Sequence, residues 1–337
     1  MPIREAPGSY GDPAAEHAAV RGGAGVLDRS DLGLLEVTGR DRAKFLHALL
    51  SNDIASLAPG QGIGATLLDV HGKVQVLLRV LVLDERVLVL TPPGQAAATE
   101  QALDTYLFSE KAYFRDATGE EAIVMLAGPD AQLIAERVAG ARPGEVAWSH
   151  TTGTADGAAV RLVRGKGETG EPEVWVMSAA ADGSAVWDQL VAAGARPLGR
   201  TAFETLRIEA GTPAFPDDMG PTVLLPEVPF ADLVAQTKGC YIGQEVIVRI
   251  RDRGHVNRLL RGLIVEGDRV PDPGTQVLSG ANELIGQITS AAWSYAVKRP
   301  VALAFVRRQH AAAGTAVALN VDGATVPATV SDLPFAR

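Results

Sequence analysis

The sequence predicts an α+β fold that ends in a small antiparallel β-barrel. Three observations predict it. Near the start, a strand is followed by a helix, several strands and a second helix, an order that builds a largely antiparallel sheet with helices packed on it. A second stretch, from residue 121 to residue 210, repeats that logic. From about residue 258 the texture changes to six short β-rich runs separated by Gly, Asp and Pro. At 337 residues the chain is too long for one ordinary core, so two α+β subdomains over 1–257 and a barrel over 258–337 are expected.

The elements follow in order. Residues 14–21 read as a short helix. Leu34-Leu35-Glu36-Val37-Thr38-Gly39 reads as a strand closed by a turn glycine. Asp41 is placed to cap a helix over 42–50, with Phe45, Leu46, Leu49 and Leu50 on its apolar face, and Ser51-Asn52-Asp53 breaks it. Gly60-Gln61-Gly62-Ile63-Gly64 reads as a turn. Residues 64–68 and 73–83 are strands joined at His71-Gly72-Lys73, and 86–91 is a third. Pro92-Pro93-Gly94 leads into a helix over 95–107. Further on, 121–127, 158–163 and 174–178 read as strands, with helices over 129–138 and over 182–193, the latter capped by Asp182. The loop 164–172, with three glycines and mixed charges, reads as exposed. Residues 201–210 form a helix that stops at Gly211 before Pro213. Residues 212–234 are rich in Pro and Asp and read as irregular, as functional segments often are. The barrel runs are 260–265, 275–278, 284–290, 301–305, 316–319 and 326–330.

Composition narrows the function classes. A net charge of −9 disfavours wholesale binding to a phosphate backbone. No apolar run approaches the roughly 18–20 residues a membrane span needs. Residues 1–25 lack a basic start followed by an apolar core, so a cytoplasmic protein without a secretory signal is expected. Cys240 is the single cysteine, which excludes an intrachain disulfide and a zinc site built on several thiolates. The histidines, at 17, 47, 71, 150, 255 and 310, show no metal-ligand spacing, and no stable metal is expected. Gly22-Gly23-Ala24-Gly25 follows no strand, so it is not a dinucleotide loop.

One segment dominates: Lys238-Gly239-Cys240-Tyr241-Ile242-Gly243-Gln244-Glu245. Two glycines bracket Cys240-Tyr241-Ile242, allowing a tight turn or close approach to a ligand. A lysine two residues before a thiol favours thiolate if the side chains are close. Against this stands the ordinary fate of a lone cysteine, a small buried apolar residue. Between Lys238 and Arg261 there are six basic and two acidic residues. Arg249, Arg251 and Arg253 alternate, so on a strand they share one face, suited either to binding carboxylates or to guarding an edge against aggregation.

The octapeptide matches K-G-C-Y-x-G-Q-E, the signature of the YgfZ proteins. Asn52-Asp53, Leu68-Asp69-Val70-His71-Gly72-Lys73 and Leu206-Arg207-Ile208-Glu209-Ala210-Gly211 extend the match in the right order over nearly the whole chain. The chain thus resembles the YgfZ folate-binding family, which is related to the aminomethyltransferase (T-protein) of the glycine cleavage system and to a mitochondrial iron–sulfur assembly factor. The resemblance implies three domains around a central folate site, the last a small β-barrel, with tetrahydrofolate or a derivative as ligand. It implies that Glu209 holds the pterin ring, with Arg207, Asn52 and Asp53 in the matching segments also binding folate. Arg249 is assigned to the folate's glutamate tail from its charge. One departure stands out: T-proteins carry an aspartate shortly after the glycine turn, where this chain has Gln75, Val76 and Leu77.

The leading functional expectation is a tetrahydrofolate-binding accessory protein in iron–sulfur cluster assembly or repair, affecting tRNA modification indirectly. Its partners would be iron–sulfur proteins or their assembly machinery, with no stable direct nucleic-acid or membrane binding. Cys240 would be the reactive group and Lys238 its support. One cysteine cannot supply every protein ligand of an ordinary cluster. Two alternatives remain: a folate-dependent one-carbon (aminomethyl or methyl) transferase on an unidentified substrate, and a folate-sensing binding module without catalysis.

Overall fold

The apolar runs pair into two sheets and a closed barrel. A computed structural model describes residues 6–229, 231–321 and 323–335. The first sheet is antiparallel, in the order Gly62–Leu68, Val74–Val82, Val87–Thr91, Gly33–Thr38, Tyr113–Asp116. The second runs Arg196–Pro197, Gly25–Asp28, Glu121–Ala127, Glu173–Ala179, Ala158–Arg164, His150–Ala155. Only its pairing of Gly25–Asp28 with Arg196–Pro197 is parallel. The chain therefore enters the second sheet before it builds the first.

Side-chain alternation explains how the layers close. In Val87–Thr91 every residue is buried. Val87 and Val89 face the helices Arg42–Leu49 and Ala96–Asp104, packing with Phe45, Leu46 and Leu103. Leu88 and Leu90 face the second sheet, joining Leu27, Met125, Val163 and Trp175. A strand covered on both faces reads as an unbroken apolar run, which is what the sequence has there. The helices Ala131–Ala139 and Gly183–Ala192 cover the far face of the second sheet through Ile134, Val186 and Leu190.

The barrel is antiparallel and closed, in the order Arg258–Val265, Arg299–Arg307, Leu284–Ser294, Gln276–Leu278, Ala316–Val321, Ala324–Ser331. Arg299–Arg307 shows the same two-sided logic. Ala302, Ala304 and Val306 fill the barrel, while Val301, Leu303 and Phe305 pack outward against Ile208, Met219 and Val223. The helix Arg200–Ala210 lies at this junction. It begins at an extended Gly199 and ends at Gly211 in the left-handed conformation, φ 73°, as its sequence predicts.

Several expectations need correction. Asp41 and Asp182 make no side-chain capping bond; Asp41 instead accepts from the Lys111 amide at 2.8 Å. The glycine run 60–64 is not simply a turn, because a strand begins at Gly62. Gly62 is needed there: a methyl would lie 2.6 Å from the Trp148 carbonyl oxygen. The Arg249–Arg253 stripe is not on a strand but on the helix Gln244–Arg253, with Glu245 in its first turn and Arg251 and Arg253 in its last. That charge order suits the helix dipole. The loop 164–172 is not simply exposed, since Thr169 is fully buried within it.

The signature glycine has a structural task. Gly243 has φ 79°, and a methyl on it would lie 2.5 Å from the Asp69 carbonyl oxygen. The helix Gln244–Arg253 thus starts hard against the hairpin turn at Asp69–Gly72, joining two segments the sequence singles out. Gly243→Ala is expected to cost about 2–3 kcal/mol, combining left-handed backbone strain with the clash. Urea denaturation checks this, and a loss under about 0.5 kcal/mol contradicts it.

Candidate functional site

A cavity of about 460 Å³ opens where the two sheets, the helix Arg200–Ala210 and the segment after it meet. The volume falls within the roughly 300–1,000 Å³ typical of small-molecule sites. Apolar side chains, including Leu27, Leu32, Leu77, Leu78 and Phe203, make up much of the wall. The polar groups come from separate elements.

Arg29 emerges at the end of strand Gly25–Asp28, Arg79 from within Val74–Val82, and Glu168 from the glycine-rich loop. Glu168 joins the two cations: Arg29 donates to its Oε2 at 3.1 Å, and Arg79 donates to its Oε1 in a short contact. All three side chains are nearly buried, 9–11% exposed. The guanidiniums stack on aromatic rings: Arg29 lies 5.4 Å from Trp175 and 5.1 Å from Phe203, and Arg79 lies 5.6 Å from Trp148 and 5.1 Å from Trp175. Burial pushes the Glu168 carboxyl up, but Arg79 and Arg29 outweigh it and hold it at about 2. Trp148 lines the cavity with φ 68°, a left-handed conformation rare for a bulky residue. Such strain persists only where its surroundings enforce it. The Trp148 amide donates to the Arg164 carbonyl at 2.7 Å, and the ring meets Trp175 edge-on at 5.5 Å.

The loop is folded around Glu173. Its Oε1 accepts from the Thr169 amide at 2.9 Å and the Thr169 hydroxyl at 3.1 Å, and its Oε2 from the Gly167 amide at 3.2 Å. Burial, and then the Glu168 charge, push the Glu173 carboxyl up from its ordinary 4.5 to about 7. In the unfolded chain it ionises first, near 4.5. The associated stability is therefore complete below about 4.5 and is lost as pH rises through about 7. Glu173→Gln is expected to flatten the fall in melting temperature over that window. An unchanged slope contradicts the assignment.

The sequence-predicted residues are scattered. Arg207 lines the cavity; it donates to Glu204 Oε2 and Asp218 Oδ2 at 2.8 Å and to Ser290 Oγ at 2.9 Å. Glu209 does not line it. Two residues along a helix turn about 200°, so Arg207 and Glu209 point to opposite sides. Glu209 Oε2 contacts His17 Nε2 at 2.7 Å and accepts from Arg21 at 2.8 Å. Its Oε1 accepts from the Ser294 hydroxyl at 2.6 Å and the Ala296 amide at 3.2 Å. Burial raises its carboxyl, but the bonds from His17, Ser294 and Arg21 win and hold it at about 2. Both oxygens are filled from within the protein.

Asn52 donates to the Gly64 and Asp232 carbonyls at 2.9 and 2.8 Å, and Asp53 sits 3.0 Å from His47. Neither lines the cavity, and Arg249 is exposed on its helix. Lys238 does not serve the thiol. Its ammonium donates to the Leu50 and Asn52 carbonyls at 2.5 and 3.0 Å and to His47, closing the C-terminal end of helix Arg42–Leu49. Burial lowers Lys238 to about 8. Cys240 is exposed and lies away from the cavity lining, as do Gly239, Gln244 and Glu245; Tyr241 is buried. Among the described residues no group of three or more His, Cys, Asp or Glu could hold a metal ion. No described helix is long and apolar enough to cross a membrane. Arg29, Asp31, Arg79, Trp148 and Glu168 were not legible as site residues, and only the glycines at 165, 167 and 170 hinted at a shaped loop.

Comparison with known proteins bears on this arrangement. The GCVT N-terminal domain family matches residues 5–238, and the glycine cleavage T-protein C-terminal barrel domain matches residues 258–336. The aminomethyltransferase of Streptomyces avermitilis is 32% identical over 347 residues, spanning 100% of this chain and 91% of its own length. That of Methylococcus capsulatus is 33% identical over 348 residues, spanning 99% and 91%. The crystal structure of glycine cleavage system aminomethyltransferase T from Bartonella henselae shares the fold, with a TM-score of 0.86 at 23% identity over 96% of this chain and 89% of that one.

Proposed function

This chain belongs to the glycine cleavage T-protein family, and we propose that it binds a reduced folate in the central cavity and transfers a one-carbon unit to or from it. The observation that carries this reading is the cavity itself. Apolar walls and the Trp148 ring suit a flat heteroaromatic ring, and the Arg29–Glu168–Arg79 cluster supplies fixed polar contacts. The aminomethyltransferase relatives span nearly the whole chain, which supports the transfer chemistry over the iron–sulfur role.

In such a transfer the carbon's bonds to its carrier and to its amine break, bonds to folate N5 and N10 form, and the protons those nitrogens lose pass to the departing carrier and ammonia. No carboxylate is available at Gln75–Leu77. Four acids line the cavity: Asp31, Glu168, Glu204 and Asp217. Asp217 is exposed at the rim, and partial loss of solvent around its carboxyl, then the neighbouring Asp218, raise it above its ordinary 3.8, so we assign it the proton. The test is incubation with tetrahydrofolate and an aminomethyl donor, whose carbon is already at the oxidation level of the methylene product. Formation of 5,10-methylenetetrahydrofolate, cut at least tenfold in Asp217→Asn, supports the reading. Tight folate binding with no product from any donor contradicts transfer.

The exposure of Cys240 favours a second reading, an accessory role toward iron–sulfur proteins through that thiol. It requires Cys240→Ser to lower iron–sulfur enzyme activities in a deletion strain, and unchanged activities dismiss it.

A further inference from the structure

Successive residues along a regular strand point to opposite faces. Thr289 and Ser290, in the barrel strand Leu284–Ser294, break that rule. The pairing with Arg299–Arg307 slips there: Ile288 pairs with Ala304 and Ser290 with Leu303, leaving Thr289 as the extra residue. This is a β-bulge, which re-aims side chains. Both hydroxyls reach one carboxylate, since Asp218 Oδ1 accepts from Thr289 at 2.5 Å and from Ser290 at 2.7 Å. Asp218 Oδ2 accepts from Arg207 at 2.8 Å and from the Ala214 amide at 2.9 Å.

Asp218 is fully buried, and its four donors make it the anchor of the segment after helix Arg200–Ala210. In that segment Thr212, Pro213, Ala214, Phe215 and Asp217 line the cavity. The Ala214 carbonyl accepts from the Asp218 and Met219 amides at 2.8 and 3.2 Å, closing a tight turn on the anchor. Asp217 is exposed in this turn, so the place of its carboxyl follows from where the turn is held. Among the described residues no barrel strand lines the cavity. The bulge is thus where the barrel acts on the cavity wall without touching what the cavity holds.

We infer that Thr289 and Ser290 are positioning residues: through Asp218 they fix the turn that presents the Asp217 carboxyl to the reacting atoms. This rests on the transfer reading and gives the barrel a task in the reaction. A proton donor must be preset, because a displacement of about 1 Å costs on the order of 100-fold in rate. Holding the folate ring needs no such anchor, since Leu27, Leu32, Trp148 and Phe203 reach the cavity from other elements.

The test measures transfer from an aminomethyl donor to tetrahydrofolate in the full chain, comparing wild type with the double variant Thr289→Val, Ser290→Ala. The double variant is expected to lose roughly tenfold or more in kcat, while KM for tetrahydrofolate changes by less than about threefold. Thr289→Ser, which keeps the hydroxyl, is expected to retain kcat within about twofold. Amide hydrogen exchange across residues 212–219 should quicken by roughly tenfold or more in the double variant, with strand Val87–Thr91 unchanged. If the double variant does not fold, Ser290→Ala alone carries the comparison, with an expected kcat loss of about threefold or more. Unchanged kcat in the folded variant, a loss confined to KM, or unchanged exchange over 212–219 overturns the inference while the transfer reading stands. If wild type forms no product, both fall.

Discussion

Replacing Glu168 by alanine is expected to destabilise the fold by about 3–5 kcal/mol, the cost of leaving buried charge without its partner. Two guanidiniums share this one carboxylate, and each is about nine-tenths buried. Without it, Arg29 and Arg79 face each other across the aromatic floor of Trp148, Trp175 and Phe203. Part of the loss is offset, because Glu173 no longer feels the Glu168 charge that pushes it up. Folate affinity should fall with the stability, since the cluster forms one wall of the cavity. Chemical denaturation checks the first effect. A change below about 1 kcal/mol means that the cluster is solvated and the buried description is wrong.

Glu209→Ala is expected to cost a comparable amount, about 3–5 kcal/mol, for a different reason. This carboxylate is a junction rather than a ligand contact. It ties His17 and Arg21 of the helix Pro13–Gly22 to Ser294 and Ala296 of the barrel. Its depressed carboxyl means that this support is present above about 4.5 and is lost as pH falls through about 2. The melting temperature should drop steeply, while tetrahydrofolate affinity of the folded variant should change by less than about threefold. The opposite pattern, unchanged stability with lost affinity, places Glu209 on the pterin.

Much of the fold was legible because it rests on local signals. Strand Glu121–Ala127 falls where its continuous apolar run puts it, and Gly211 ends its helix in the left-handed conformation. The barrel runs stand out because Gly, Asp and Pro punctuate them. The helix Gln244–Arg253 was misread because arginines at alternate positions mimic a strand face, and Ile247 is its only buried residue. A helix with so little apolar face carries almost no periodic signal. The strands Gly25–Asp28 and Arg196–Pro197 are too short for one.

The site was much less legible. The eight-residue signature marks the chain by sequence, yet its conspicuous groups have structural work: Lys238 closes a helix and Gly243 seats one. The cavity is lined by residues 29 and 31, 79, 148, 168 and 207, drawn from five separate stretches that no local spacing relates. What brings them together is the early crossing of Gly25–Asp28 into the second sheet, which is a property of topology.

The central claim is that a reduced folate occupies the cavity where the two sheets, the helix Arg200–Ala210 and the segment after it meet. A crystal structure of the full chain with tetrahydrofolate tests it most directly. The account predicts the pterin ring within about 4 Å of Trp148 or its apolar neighbours. Folate lying instead on the outer face beside Cys240 and Arg249, with the cavity wall untouched, would contradict it.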